Sequence, residues 1–133
     1  MKGRKRHIVV DSQGWLVRVL VHPANWADRD GARQLLRRVP LFGRWVKLLL
    51  DGGYDSPAFV HWCEQMFGIC AESVRRCELH TFVVLPLRWI VERTLAWLGK
   101  YRRLSKDDEA LPKTSESWIY VAMIDRMLHR LCP

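Results

Sequence analysis

The amino-acid sequence predicts a domain of the α/β class, and three observations support this class. The chain has 133 residues, which is the size of one domain. Apolar runs bounded by turn residues alternate with helical patterns in the order β-β-α-β-α-β-α-α. The run 45–50 is almost wholly apolar and ends at Asp51, a pattern typical of strands that are buried on both faces and usually parallel.

Turn and capping residues predict the elements of the N-terminal half. Residues 7–22 predict a β-hairpin whose turn, at 11–14, ends in glycine. Asp28 and Asp30 are placed to cap a helix over residues 31–38. The elements predicted beyond these are a strand over 45–50, a helix over 58–67 between Pro57 and Gly68, a weak strand over 71–75, a long helix over 87–104 after Pro86, and a last helix over 115–131.

Composition restricts the possible functions. The 22 Lys and Arg residues against 14 Asp and Glu residues give a net charge of +8, which favours a polyanionic partner such as nucleic acid. No apolar run approaches the roughly 18 residues of a membrane span, and Asp11 interrupts any signal-peptide core after the basic start. We therefore expect a cytoplasmic protein without a membrane partner.

The cysteine, histidine and tryptophan residues are predicted to have structural and not catalytic roles. The four cysteines form no Cys-x-x-Cys pair and are predicted to be reduced thiols. The spacing argues against a zinc site, whose candidate ligands would be His61, Cys63, Cys70, Cys77 and His80. The seven tryptophans are predicted to pack in the core and on the hairpin.

Two carboxylates are candidates for chemistry. Asp51 follows a buried strand, where ligands bind in open α/β sheets, and Gly52 and Gly53 after it would permit close approach. The alternative interpretation is that Asp51, Gly52 and Gly53 simply form a turn, in which Asp and Gly are common. At 100° per residue the predicted long helix aligns small and charged residues on one line, namely Arg88, Glu92, Ala96, Gly99 and Arg103. The alternative to a functional role is that Arg88 and Glu92 form an ordinary solvent-exposed ion pair, which would stabilise the helix by only ~0.2–0.5 kcal/mol.

Basic residues form two clusters that could contact phosphates. The first is the run Lys2, Arg4, Lys5 and Arg6. The second surrounds the predicted long helix and contains Arg88, Arg93, Lys100, Arg102, Arg103 and Lys106. Carboxylates ringed by such cations suit a phosphodiester backbone held over divalent metal, although a solvated face is the simpler interpretation.

Several segments together resemble the C-terminal catalytic half of bacterial insertion-sequence transposases of the D-D-E type, without the family's N-terminal DNA-recognition region. They are KGRKRHIVVDSQG, ANWADRDGA, LLLDGGY, VVLPLRWIVERTLAWLGKYRRLSKD and SESWIYVAMI. The resemblance covers nearly the whole chain, and its most specific feature is Arg-x-x-x-Glu followed by a basic residue two turns later. In the family pattern, Asp51 matches the second aspartate, Glu92 matches the glutamate, and Arg88 and Lys100 fall on or beside basic positions. Lys100 lies eight residues after Glu92, where the family usually has seven.

The resemblance implies a ribonuclease H-like mixed sheet flanked by helices. It divides the chain into a basic arm (1–7), a core (7–104) and a C-terminal helix (113–133). It also implies Mg²⁺- or Mn²⁺-dependent DNA cleavage and strand transfer, with Asp51 and Glu92 as metal ligands. The implied partners are the terminal inverted repeats of the element, target DNA and further copies of the protein in a synaptic complex, in the bacterial nucleoid. The DNA-contacting residues would be Arg88, Lys100, Arg102, Arg103, Lys2, Arg4, Lys5 and Arg6.

One departure from the family pattern affects the expected activity. The family carries its first catalytic aspartate on a first strand that precedes the KGRKRH motif, and that strand lies centrally in the sheet. Asp11 belongs to the hairpin turn and is not expected to replace it. We therefore expect two half-sheets, and a chain that by itself folds poorly or does not cleave DNA.

Four interpretations of the chain remain open at this stage. The first is an incomplete or frameshift-derived transposase. The others are a non-catalytic DNA-binding fragment that inhibits the intact enzyme, a stand-alone nuclease that uses Asp11, and an inactive remnant.

Overall fold

The computed structural model describes residues 3–39, 45–54, 56–74 and 88–132, except for the side chains of Val74 and Arg88. The chain divides into two compact units. Unit 1 comprises Met1–Arg38 and Trp89–Pro133, and unit 2 comprises Val39–Arg88. The element order β-β-α-β-α-β-α-α that the sequence predicts is confirmed, as is the α/β class.

Unit 1 begins with the predicted hairpin. Strands β1 (Arg4–Val10) and β2 (Leu16–Pro23) pair in antiparallel register, with an irregularity near the end of β1. Asp11 forms the turn, because its Oδ1 atom accepts hydrogen bonds from the backbone N–H groups of Gln13 (2.9 Å) and Trp15 (3.0 Å). Strand β1 begins at Arg4, within the segment 1–7 that the resemblance gives as a basic arm.

Helix α1 (Asp28–Arg37) lies against the hairpin, and its predicted capping is wrong. The N-cap residue is Ala27, and no side chain caps the helix. Asp28 lies in the first turn, where its Oδ1 atom accepts a hydrogen bond from Lys5 Nζ at 2.7 Å. This hydrogen bond lowers the pKa of Asp28. The acidic residue therefore bridges α1 to β1 instead of binding backbone N–H groups.

Helix α3 (Arg88–Gly99) is shorter than the sequence predicts. It ends five residues before the predicted Leu104, and a short 3₁₀ turn at Arg102–Leu104 follows. Arg103 is therefore not on the helical line of Glu92, and the predicted small-residue line stops at Gly99. Gly99 and the backbone turn after it, where Lys100 N–H donates to Trp97 O (3.3 Å), account for the stop.

Helix α4 (Pro112–Leu131) covers β2. The Tyr120 hydroxyl accepts a hydrogen bond from Val19 N–H at 3.1 Å, and Glu116 Oε1 accepts one from Val21 N–H at 2.9 Å. These side chains satisfy two strand donors and protect that edge of the hairpin. The core of unit 1 between β2, α3 and α4 consists of Leu16, Val19, Val21, Leu98, Leu104, Ile119, Ala122 and Met123.

Unit 2 contains a parallel strand pair and one helix. Strands β3 (Lys47–Asp51) and β4 (Cys70–Val74) pair in parallel, as the apolar run predicts. Helix α2 (Pro57–Phe67) connects them and ends at Gly68, whose φ of 63° is the left-handed conformation that favours glycine at a helix end. Leu48 and Leu50 of β3 are buried, as are Phe59 and Cys63 of α2.

The strands of the described residues form two separate two-stranded sheets, β1–β2 and β3–β4. A single mixed sheet is therefore not seen in this part of the chain. The prediction that the tryptophans pack in the core or on the hairpin is wrong for Trp89 and Trp118, which are exposed. Trp26 is exposed too, but its ring stacks on His22 of β2 at 5.2 Å, and the other four tryptophans are half-buried. Aromatic type alone does not report burial, because an indole ring can also stack beside arginine at the surface.

Candidate active site

Asp51 is the last residue of β3, and its side chain is exposed. Its Oδ1 atom accepts a hydrogen bond from the N–H of Gly52 at 2.7 Å. A Cβ atom placed on Gly52 or Gly53 would meet no atom within 4 Å, so this side of the strand end is open. The carboxylate therefore lies at the carboxyl end of a parallel strand, where an α/β sheet offers a ligand site.

Glu92 lies on the exposed face of α3. The opposite face packs into unit 1 through Ile90, Thr94 and Leu98, all of which are buried. At 100° per residue, Glu92 lies roughly 160° around the helix from Thr94. Glu92 therefore points away from the contacts that hold the helix in place.

A contact with the hairpin turn fixes the rotation of α3. The Thr94 hydroxyl, which is fully buried, lies within hydrogen-bonding distance of the backbone carbonyls of Gly14 and Ile90. The Arg93 guanidinium donates to the carbonyl of Gln13. Gly14 has a φ of +90°, and a Cβ atom there would lie 3.0 Å from both Arg93 and Thr94. Only glycine accommodates this close approach without strain.

Arg93 is also held by aromatic rings. Its guanidinium carbon lies 4.6 Å from the Trp89 ring centroid and 4.7 Å from that of Trp97. Trp97 in turn packs against Trp15 of the hairpin at 5.3 Å. Sequence analysis placed Arg93 with the phosphate-binding cations and did not identify Thr94. The only signal in the sequence was the position of both residues directly after Glu92.

Glu92 lies in unit 1, and Asp51 lies in unit 2. The described residues contain no group of three Asp, Glu, His or Cys side chains arranged to hold a metal ion. Asp11 is exposed at the hairpin turn, with its Oδ1 atom engaged by two backbone N–H groups. The role of Asp11 visible here is therefore to form the turn.

The first basic cluster makes contacts within the protein. The Arg4 guanidinium forms an ion pair with Asp107 at 3.1 Å and donates to the carbonyls of Glu109 and Ala110. Lys5 pairs with Asp28, as described above, and Arg6 donates to the carbonyl of Leu104 at 2.9 Å. Lys2 lies outside the described residues. These three cations thus join β1 to α1 and to the segment between α3 and α4.

The second basic cluster is more open to solvent. Lys100, Arg102 and Arg103 are exposed in the segment that follows α3. Arg103 also pairs with Glu109 at 2.9 Å and lies 4.3 Å from the Trp118 ring. The side chain of Arg88 lies outside the described residues. Lys100, Arg102 and Lys106 are therefore the exposed cations of this cluster whose side chains are the most accessible to a phosphate.

Two further predictions concern cysteines and membranes. Cys63, Cys70 and Cys132 are free thiols, while Cys77 lies outside the described residues. Among the helices that the structure describes, none combines the length and the hydropathy needed to cross a bilayer.

Comparison with known proteins determines the family. Residues 1–124 match the family model described as "Transposase DDE domain". The chain belongs to this family. It is 32% identical over 110 residues to a protein of Burkholderia cepacia named "Putative transposase for insertion sequence element IS402". The aligned region covers 77% of this chain and 52% of that protein, so the chain spans about half the length of the relative it matches. No solved structure matches the chain.

The model that matches is that of a transposase domain. The matched region includes Asp51, Glu92 and the segment around each of them. DDE domains generally use divalent metal ions, and carboxylates are the ligands that hard cations such as Mg²⁺ prefer. The donor chemistry of Asp51 and Glu92 fits such an ion, although two carboxylates form only part of a complete site.

Proposed function

We propose that this chain supplies two carboxylates, Asp51 and Glu92, to the catalytic centre of an insertion-sequence transposase. The family match over residues 1–124 is the observation that carries the proposal, because it includes both residues. Their placement supports it. Asp51 ends a parallel strand, and Glu92 lies on the exposed face of a helix whose other face is clamped to the hairpin.

In this proposal the two side chains hold Mg²⁺ or Mn²⁺ together with a third carboxylate that Asp11 does not provide. Divalent ions bound in this way would activate a water or a 3′-hydroxyl and stabilise the leaving oxygen of the cleaved phosphodiester. The carboxylates themselves would bind the ions and orient them relative to the phosphodiester. Lys100 and Arg102, with Arg103 and Arg88, would neutralise phosphates beside the site, and the N-terminal cluster would contribute to the overall positive field.

In this proposal the fold is ribonuclease H-like, as the resemblance implies, and it includes a strand beyond those of the two described pairs. The edge of β2 is closed by Tyr120 and Glu116 of α4, so an added strand would pair with β1. The strand that bears the third carboxylate would take that place. The substrates in this proposal are the terminal inverted repeats of the element and its target DNA.

A transposition assay with the element that encodes this chain tests the assignment. We expect Asp51→Asn and Glu92→Gln each to lower the transposition frequency at least ~100-fold, since a lost ligand removes several kcal/mol of transition-state stabilisation. Asp11→Asn is the matched control and should retain most of the activity. Full transposition by the Asp51→Asn or Glu92→Gln variant would contradict the proposal.

A second candidate function is a DNA-binding fragment that does not cleave. The net charge of +8 and the exposed side chains of Lys100 and Arg102 favour this alternative. It predicts that the purified chain binds inverted-repeat duplex with a steep salt dependence, and that neither Mg²⁺ nor Glu92→Gln changes the affinity. Mg²⁺-dependent cutting by the purified chain, lost in Glu92→Gln, would exclude it.

A further inference from the structure

Helix α3 is attached to the hairpin turn at two points on different sides of the helix axis. Thr94 and Arg93 reach backbone carbonyls of the turn, which belong to Gly14 and Gln13 respectively. At 100° per residue the two side chains leave the helix about 100° apart. One hydrogen bond would let the helix pivot, whereas two bonds on different sides oppose its rotation. We call these four residues the α3 clamp.

Thr94 forms the inner half of the α3 clamp and is fully buried. Its hydroxyl lies within hydrogen-bonding distance of two carbonyls, those of Gly14 and Ile90. The Ile90 carbonyl belongs to the same helix, so only the contact with Gly14 joins two elements. A Cβ atom on residue 14 would lie 3.0 Å from Thr94 Oγ1, and glycine permits this close approach. A larger residue at position 14 or an apolar residue at position 94 would not reproduce the contact.

Arg93 forms the outer half of the α3 clamp and is held by three contacts. Its guanidinium donates to the Gln13 carbonyl, and the rings of Trp89 and Trp97 lie one helical turn before and after it, with centroids at 4.6 and 4.7 Å. Stacking on indole rings restricts the directions that a planar guanidinium can take. Trp97 also packs against Trp15 of the hairpin. Arg93 is therefore attached to the hairpin both directly and through an aromatic ring.

The position of the Glu92 carboxylate is sensitive to the rotation of α3. The tip of a side chain lies about 5–6 Å from a helix axis, so a rotation of about 10° moves it by about 1 Å. A metal site tolerates changes of only ~0.2 Å in the distance between the ion and a ligand atom. The other buried side chains of this helix, Ile90 and Leu98, are apolar, and apolar packing has no preferred direction. The α3 clamp therefore supplies the directional contacts that orient Glu92.

We propose that Thr94 and Arg93 are positioning residues for Glu92, a proposal that rests on the metal-binding function proposed above for that carboxylate. Through the α3 clamp they hold the carboxylate in the orientation that binds a divalent ion. Neither side chain touches the ion or the DNA in this role. Residues that orient a ligand from behind typically change metal affinity ~10–100-fold when they are substituted. Arg93 thereby has a role that its place in the second basic cluster does not indicate.

Mn²⁺ binding to the transposase, as the element expresses it and without DNA, tests the proposal. Electron paramagnetic resonance measures the free ion, which gives both the dissociation constant and the number of sites without any cleavage reaction. We expect Thr94→Val and Arg93→Gln each to raise the dissociation constant at least ~5-fold, with an unchanged number of sites. Thr94→Ser keeps the hydroxyl and should bind nearly as tightly as the wild type. Ile119→Val changes a core residue on α4, so it should lower the stability of unit 1 and leave the constant unchanged.

The outcomes separate positioning from stability and from the function of Glu92. Wild-type Mn²⁺ affinity in Thr94→Val or in Arg93→Gln would overturn the positioning role while Glu92→Gln still weakens binding. A smaller number of sites at constant affinity would also overturn it, because the α3 clamp would then only stabilise the fold. If Glu92→Gln itself binds Mn²⁺ like the wild type, the proposed function fails. As a second readout, inverted-repeat cleavage by Thr94→Val should need more Mg²⁺ for half its maximal rate and should recover when Mg²⁺ is in excess.

Discussion

The two units of this chain are stabilised by different kinds of contact. In unit 1, polar side chains connect elements that are far apart in the sequence. Thr94 of α3 reaches the Gly14 carbonyl, Tyr120 of α4 reaches β2, and Arg4 reaches the segment after α3. In unit 2, the described side-chain contacts include a local series of aromatic rings, Tyr54–Phe59–Trp62–Phe67.

This difference bears on the candidate site. Glu92 lies on a helix whose rotation is determined by hydrogen bonds to a distant turn. Asp51 lies at the end of a short strand, and among the described residues this strand pairs with β4, against which α2 packs. A directional hydrogen bond determines orientation, and apolar packing mainly determines proximity. The two carboxylates therefore depend on different features, and substitutions can perturb them separately.

The largest effect is expected at Phe59, which is fully buried between Tyr54 and Trp62. Phe59→Ala should cost about 3–5 kcal/mol of stability in unit 2, through lost transfer free energy and the resulting cavity. Hydrogen exchange should then accelerate at the β3 and β4 amides and remain unchanged in β1 and β2. Met66→Ala is the control on an exposed position. Equal acceleration in both units would show that they unfold together.

The next largest effect is expected from His7, which should make unit 1 less stable at acid pH. Burial of the ring, together with the neighbouring His22, lowers the pKa of His7 to about 4 from its usual 6.5. The two rings stack at 4.7 Å, and Trp26 stacks on His22 at 5.2 Å. Lys5 lowers the pKa of His7 further, while Asp28 opposes the shift.

The neutral form of His7 is therefore favoured in the folded protein, and the unfolded chain takes up a proton first. Stability should fall as the pH decreases from about 6.5 to 4, by up to roughly 3 kcal/mol. Urea unfolding at a series of pH values measures this slope. His7→Phe should flatten it above pH 5, whereas His61→Gln, at an exposed position, should not. An unchanged slope in His7→Phe would rule out His7 as the source.

A smaller effect is expected at Thr94, and it tests the hydrogen bonds of unit 1 directly. Thr94→Val keeps the shape of the side chain and removes the hydroxyl, which leaves the buried Gly14 carbonyl without this donor. The cost should be about 1–3 kcal/mol. Thr94→Ser retains the hydroxyl and should lose less. If the valine variant is as stable as the wild type, the clamp between α3 and the hairpin turn does not contribute to stability.

The class, the order of elements and the resemblance to the family follow from the sequence alone. Periodicity and turn residues such as Pro57 and Gly68 act locally, so they are visible without the fold. The two candidate carboxylates were also identified from the sequence, Asp51 from the apolar run before it and Glu92 from its motif. The family match includes both residues but does not test their roles.

Tertiary structure decided which side chains are engaged and how far the elements extend. Arg4 and Lys5 have the same sequence signature as a solvated basic arm, yet they hold β1 to acidic residues that lie 103 and 23 positions away. Helix α3 ends at Gly99, although the residues after it are compatible with a helix. The face of α4 that is buried is likewise determined by the fold, in which α4 covers β2. The contacts of Arg4, Lys5 and α4 depend on partners distant in the chain, and local sequence patterns contain no information about such partners.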